Sequence, residues 1–192
     1  MKKQIKSNSL IILARSHNPT LVSDHFLLSS GIISDVKEIN PNNKIITPAI
    51  TQIQLLSGTQ ITLDQDRLNI TSPEGKEPYT LGEKYCKSLS FIRATAIGIN
   101  YDIVITDFDF KKWFDRVRVS DLTPNQFKFA RSFKNKIANI TVSRDTDISA
   151  NFQFNFHYPV EDKTLGQLGM KFVYEWEENK KYLDMIIKTL LK

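Results

Sequence analysis

The run Arg15-Ser16-His17-Asn18-Pro19 is the part of this sequence that most suggests chemistry, because a hydroxyl and an imidazole stand side by side in it. A serine nucleophile needs a base within hydrogen-bond reach. Neighbours on an extended strand point to opposite faces, so Ser16 and His17 do not serve each other there, and the run is expected to be a strand leaving for a turn before Pro19. Three aspartate pairs, Asp64/Asp66, Asp107/Asp109 and Asp145/Asp147, have the spacing that opens a calcium loop. None has glycine in the sixth position, and the latter two place Arg118 and Phe156 where a bidentate glutamate is required. All three are read as turn aspartates, which bond to their own backbone. His17, His25 and His157 are too scattered for a metal cluster. Cys86 falls in a helical apolar pattern, where a small buried thiol is the ordinary occupant. No glycine motif for phosphate follows a strand: Leu165-Gly166-Gln167-Leu168-Gly169 lies at the start of the last expected helix. No catalytic residue, metal ligand or cofactor-binding residue is therefore assigned, and no cofactor is expected.

Charge is the second chemical feature. Residues 111–144 carry nine basic side chains against Asp115 and Asp121, a net +7, while the remainder of the chain nets −2 out of a total of +5. Lys111, Lys112, Arg116, Arg118, Lys128, Arg131 and Lys134 are candidate contacts for an anion or for nucleic-acid phosphates, with Trp113-Phe114 interleaved as in single-strand binders. The competing reading is a solvated face, with the aromatic pair anchoring an amphipathic helix.

Composition bounds the rest. The chain has 192 residues, of which 41% are hydrophobic and 24% charged, which is enough for one sizeable core and too apolar for disorder. One cysteine excludes an intramolecular disulfide and a thiolate-rich zinc site and fits a reducing compartment. The N-terminal apolar run, Leu10 to Ala14, is too short for a leader and stops at Arg15. A cytoplasmic protein of bacterial-type Lys/Ile/Asn-rich composition, without membrane insertion, is the expectation.

The elements that must position these residues follow from periodicity. Leu10–Ala14 reads as a strand, and Ser23 caps a short helix ending at Gly31. Strands are expected over 32–39 and 44–56, flanking the turn Asn40-Pro41-Asn42-Asn43, and again over 59–63 and 68–71. Pro78 opens a helix carrying Leu81, Tyr85, Leu89 and Ile92 on one stripe. Residues 96–105 alternate as a strand, and helices are expected over 110–118 and from Thr123-Pro124 through Phe127, Ala130, Phe133 or Lys134, and Ile137. Strands 137–143 and 148–158 form a hairpin, the second alternating Phe152, Phe154, Phe156 and Tyr158 against Asn151, Gln153, Asn155 and His157. From Thr164 a last helix runs through Leu165, Leu168, Phe172, Trp176, Leu183, Ile187 and Leu190.

This pattern predicts a single α+β domain, 1–192, built from two structural repeats of strand, helix, strands and long helix, about 8–93 and 94–192. The repeats would form one twisted antiparallel sheet with helices packed on one face. In layout alone it resembles the duplicated saddle of the TATA-binding protein and its fold relatives, including the helix-grip lipid-binding proteins. The resemblance implies the architecture and carries no activity with it. If the helices cover the Phe/Ile face, the other face shows Gln52, Gln54, Gln60, Thr62, Asn69, Asn100, Asp102, Thr141, Ser143, Asn151, Gln153, Asn155 and His157. Such a face is rich in amides and nearly uncharged, unlike a DNA-binding saddle, which wants cations for phosphates and apolar wedges between base steps. Gln52, Gln54, Asn151, Gln153, Asn155 and His157 are the candidate partner face. The expected function is a non-catalytic binding protein acting through protein contacts, as a homodimer or accessory subunit. Nucleic-acid binding through 111–144 is the alternative. A small-molecule ligand is less expected; its weaker form is an apolar carrier, with the ligand between Phe152, Phe154, Phe156, Phe172 and Trp176.

Overall fold

The computed structural model describes residues 1–192 other than 74, 117–124, 134–135, 161–162, 169–170 and 192. Its organising elements are two long central strands, Lys2–Ala14 (β1) and Ala94–Thr106 (β6), paired antiparallel along most of their length. Both obey the two-residue side-chain period of a strand. In β1, Asn8, Leu10, Ile12 and Ala14 are buried while Ser7, Ser9, Ile11 and Leu13 face the other way. In β6, Ile97, Ile99, Tyr101, Ile103 and Ile105 are buried.

Beside β1 lie Ile39–Ile46 (β2), Thr51–Leu55 (β3), Gln60–Leu63 (β4) and Arg67–Ser72 (β5). Beside β6 lie Gln126–Phe133 (β7), Lys136–Thr146 (β8) and Ser149–Pro159 (β9). The result is one antiparallel sheet of nine strands in the order β2-β3-β4-β5-β1-β6-β9-β8-β7. The described helices are Asp24–Ser29 (α1), Glu77–Ser88 (α2), Phe110–Arg116 (α3) and Phe172–Leu190 (α4). None is long and apolar enough to cross a membrane.

The helices share one face of the sheet. The Tyr79 hydroxyl on α2 donates to the Asn100 carbonyl of β6 at 3.4 Å, and Tyr101 of β6 donates to the Trp176 carbonyl of α4 at 2.7 Å. Phe110 of α3 packs on Phe152 of β9, and Trp113 donates its indole proton to the Leu190 carbonyl of α4 at 2.6 Å. On α1, Phe26 meets Tyr85 of α2 edge-on. Phe152, Phe154 and Phe156 form the ladder beneath these helices and are essentially inaccessible.

Five expectations are corrected. Residues 32–38 do not extend as a strand; they close a single 3₁₀ turn at Val36–Glu38, capped by Asp35, with Glu38 accepting from the Ser34 and Asp35 amides. Local carboxylate bonds there replace a ladder. The expected strand 44–56 is two strands, parted at Pro48 by a turn in which Thr47 and Ile50 bond each other. β2 itself begins at Ile39 and runs through the expected turn 40–43, its register with β3 breaking between Ile39 and Lys44. The stretch from Phe127 to Phe133 is the strand β7 and not a helix, because it pairs residue for residue with β8; Thr123 and Pro124 lie outside the described residues. The last helix starts at Phe172 and not at Thr164, since Thr164 bridges to Arg93 and Gly166 donates its amide to the Ser90 carbonyl at 3.0 Å.

Candidate functional site

The sheet face opposite the helices is built by register. One row runs Ala130, Asn139, Asn155, Asn100, Ser9, Thr71, Gln60, Gln54, crossing eight strands from β7 to β3. No residue in it is ionisable. Its middle is internally bonded: Asn155 donates to the Asn100 side chain, which donates to the Ser9 hydroxyl at 3.0 Å. On one side lies the row Ile137, His157, Gly98, Ile11, Asn69, Thr62, Gln52, Ile45. On the other lies Lys128, Thr141, Gln153, Asp102, Ser7. Asn151 pairs with Ser143 and Val104 one step further out. The six residues of the candidate partner face thus share this surface, which holds a hollow of about 380 Å³ over Asn100, Asn139, Gln153 and Asn155, and another of about 310 Å³ over Asn43, Gln52, Gln54 and Gln60. Asp102 and His157 do not meet, because Asp102 faces Gln153 and His157 faces Gly98.

The basic segment does not gather in the same way. Lys128 belongs to the open face. On the same strand Arg131 points to the helix face, over the Tyr182 ring at 5.8 Å. Lys111, Lys112 and Arg116 are exposed on α3, whose Trp113 and Phe114 are buried against Phe127. Arg118 and Lys134 lie outside the described residues. Trp113-Phe114 is an anchor for α3 and not a stacking platform.

The other candidates have settled structural places. Ser16 takes a left-handed backbone, φ +71°. His17 is buried and shares a 2.8 Å hydrogen bond with the Tyr85 hydroxyl. Asp64 accepts the Asp66 amide at 2.9 Å, Asp109 accepts the Lys112 amide at 2.8 Å, and the Asp147 carbonyl accepts from Phe110. Burial pushes the Cys86 thiol up to about 12. The ladder Phe152, Phe154 and Phe156, proposed above as a ligand lining, is closed on the helix side; of the five residues named there, Phe172 borders a cavity on that side, which lies beyond the ladder's end.

A polar cluster that sequence reasoning missed lies under α4. Lys136, the first residue of β8, has a side chain only 1% exposed. Its ammonium donates to Glu175 at 2.8 Å, to Asn179 at 2.6 Å and to the Tyr158 hydroxyl at 3.0 Å. The rings of Tyr158 and Phe133 lie 5.0 and 5.2 Å away. Three donors meet three acceptors inside an aromatic box, which is how a lysine is kept out of water. Tyr158 in turn accepts from Asn179 at 2.7 Å and donates to Glu175 at 3.0 Å. Burial above all holds the Tyr158 phenol well above its ordinary range, assisted by the Glu175 charge and opposed by the Asn179 bond. The one sequence signal was Asn179 on a helix stripe otherwise filled by Phe172, Leu183, Ile186 and Ile187.

Compared with known families and curated proteins, the chain matches no family model and no individual curated protein.

Proposed function

We propose that this chain is a non-catalytic binding protein that works through protein contacts on its open sheet face, and that its partner there is a second copy of itself. The observation that carries the reading is the row of eight strands without an ionisable side chain. Asn and Gln carry a donor and an acceptor each, so a face made of them is complementary to its own copy in an isologous two-fold dimer. Size supports it as well. Eight strands at about 4.8 Å spacing span about 34 Å, and the three rows make a patch comparable with the roughly 800 Å² per partner of a stable interface. The exposed Ile45, Ile137 and Leu13 supply apolar contacts along one margin.

In this reading the sheet is a duplication, about 8–93 and 94–192, in a layout resembling the TATA-binding-protein and helix-grip folds. Support comes from the strand order, which from the centre outward is first, last, next-to-last and so on in both halves, β1-β5-β4-β3-β2 and β6-β9-β8-β7, with one strand more in the first. A DNA saddle is disfavoured, because the central row offers no cation to a phosphate.

Light scattering on the purified protein, with and without a mixed-sequence oligonucleotide at low and high salt, tests the reading. A dimer mass indifferent to oligonucleotide and salt is expected. A strict monomer sinks it, and a complex with oligonucleotide that melts steeply with salt would transfer the function to Lys111, Lys112, Arg116 and Lys128.

A further inference from the structure

We infer that the cavity beneath the first turn of α4 is a binding site for a small amphipathic acid, with its apolar chain inward and its anionic head at the mouth. The cavity holds about 370 Å³, within the range of small-molecule sites. It lies between the β6/β9 end of the sheet and α4, on the opposite side of the sheet from the proposed dimer face. Ile97, Ile99, Val160, Leu168 and Phe172 give it an apolar wall.

Its polar groups are asymmetric, and that asymmetry orients a ligand. Lys163 and Lys171 border the opening; both are exposed, and neither makes an ion pair or side-chain hydrogen bond with another described residue. The inner wall is Tyr158 and Glu175. Tyr158 has spent its proton on Glu175 and accepts from Lys136 and Asn179, so it presents only its ring. Glu175 accepts Lys136 and Tyr158 on Oε2, leaving Oε1 as a bare acceptor. A carboxylate there repels an acid group, while Lys163 and Lys171 attract one. With Lys136 matched to Glu175, the uncompensated charge among the described residues that line the site is that of two lysines, which selects an anion over a cation. A neutral hydroxyl or amide N–H on the chain gains a bond to Glu175 Oε1.

The experiment is a titration of the intact protein with decanoate, followed by methyl NMR of Ile97, Ile99, Val160 and Leu168, with decyltrimethylammonium as the charge-reversed probe. Saturable shifts confined to these methyls, at least about tenfold weaker with the cation, are expected. Lys163→Glu with Lys171→Glu, both at exposed sites that leave the core intact, should weaken decanoate about tenfold and strengthen the cation. Ile99→Trp, filling the cavity, should abolish the shifts. Absence of saturable binding, equal binding of the two probes, or decanoate binding untouched by the double charge reversal overturns the proposal. None of these results alters the dimer mass, so the two readings fail independently.

Discussion

A lysine sealed from water is tolerated only where each of its protons has an acceptor, and Lys136 meets that condition through Glu175, Asn179 and Tyr158. Removing one partner of a buried pair costs about 3 to 5 kcal/mol. The Glu175 side chain is 30% exposed and rehydrates in part, so we predict that Lys136→Ala lowers unfolding free energy by about 2 to 3 kcal/mol in urea. Lys136→Met, which refills the aromatic box, should lose about half as much. Equal losses would mean that the filled volume contributes nothing beyond the ammonium and its bonds. His17 makes a second residue-scale case. Burial pushes its pKa below 6.5, against a backbone bond at Ile12 and the charges of Asp64 and Asp66. The folded value is therefore the lower one, and as pH falls the unfolded chain takes up the proton first. Stability from this group is complete above 6.5 and drains away as pH drops from there toward the folded value, by at most about 1.4 kcal/mol per pH unit. In His17→Gln the fall in stability between about pH 6.5 and 5 should be shallower than in the parent. Parallel curves would show that His17 titrates alike in both states.

At the scale of elements, α2 sits on the sheet through a glycine. A Cβ on Gly82 would stand 2.0 Å from Leu10 Cδ2 and 3.4 Å from Phe172 Cδ2, so the missing side chain lets α2 close on β1 and α4 at once. Alanine would favour the helix by about 1 kcal/mol, whereas overpacking a core costs about 1 to 3. Leu10 is fully buried and has nowhere to swing, so Gly82→Ala is expected to destabilise by about 1 kcal/mol net in urea unfolding. A stabilised variant would mean that α2 slides on the sheet. Which elements the sequence disclosed follows the same physics of packing. β9 was legible because four aromatic residues alternate with four polar ones, a pattern no helix can use. β7 was not, since Phe127, Ala130 and Phe133 satisfy a three-residue step as well as Phe127 and Phe129 satisfy a two-residue one, and pairing with β8 decides between them. Leu165 and Leu168 kept the helical rhythm of α4 yet belong to a turn, because Gly166 brings the backbone against Ser90. The open face could be read from alternation alone. The Lys136 cluster could not, for its four members come from β8, β9 and two turns of α4 and meet only through tertiary packing.

For the whole molecule, the polar sheet face and the dimer proposed for it lead to a test that depends on position. In an isologous contact, a charge near the two-fold axis faces its own copy, while a charge at the rim faces solvent. Asn155 sits in the central row, between Asn100 and Asn139; Gln52 lies far out on β3. Gln52→Lys should disturb folding of the protomer by less than about 0.5 kcal/mol, because Gln52 is exposed on the solvent-facing side of a finished sheet, whereas Asn155→Lys also gives up one side-chain bond, about 0.5 to 1.5 kcal/mol. Asn155→Lys would in addition set two ammonium groups against each other in a desolvated contact, after removing the amide that donates to Asn100. A dimer also links its melting temperature to concentration, since association draws on the folded state only. The parent protein should therefore melt higher as it is concentrated, and Gln52→Lys should behave like it with a greater sensitivity to salt. Asn155→Lys should melt at one temperature at every concentration and scatter light as a monomer. A concentration-independent melt in the parent, or one in Asn155→Lys that still rises with concentration, would remove the open face as the site of association.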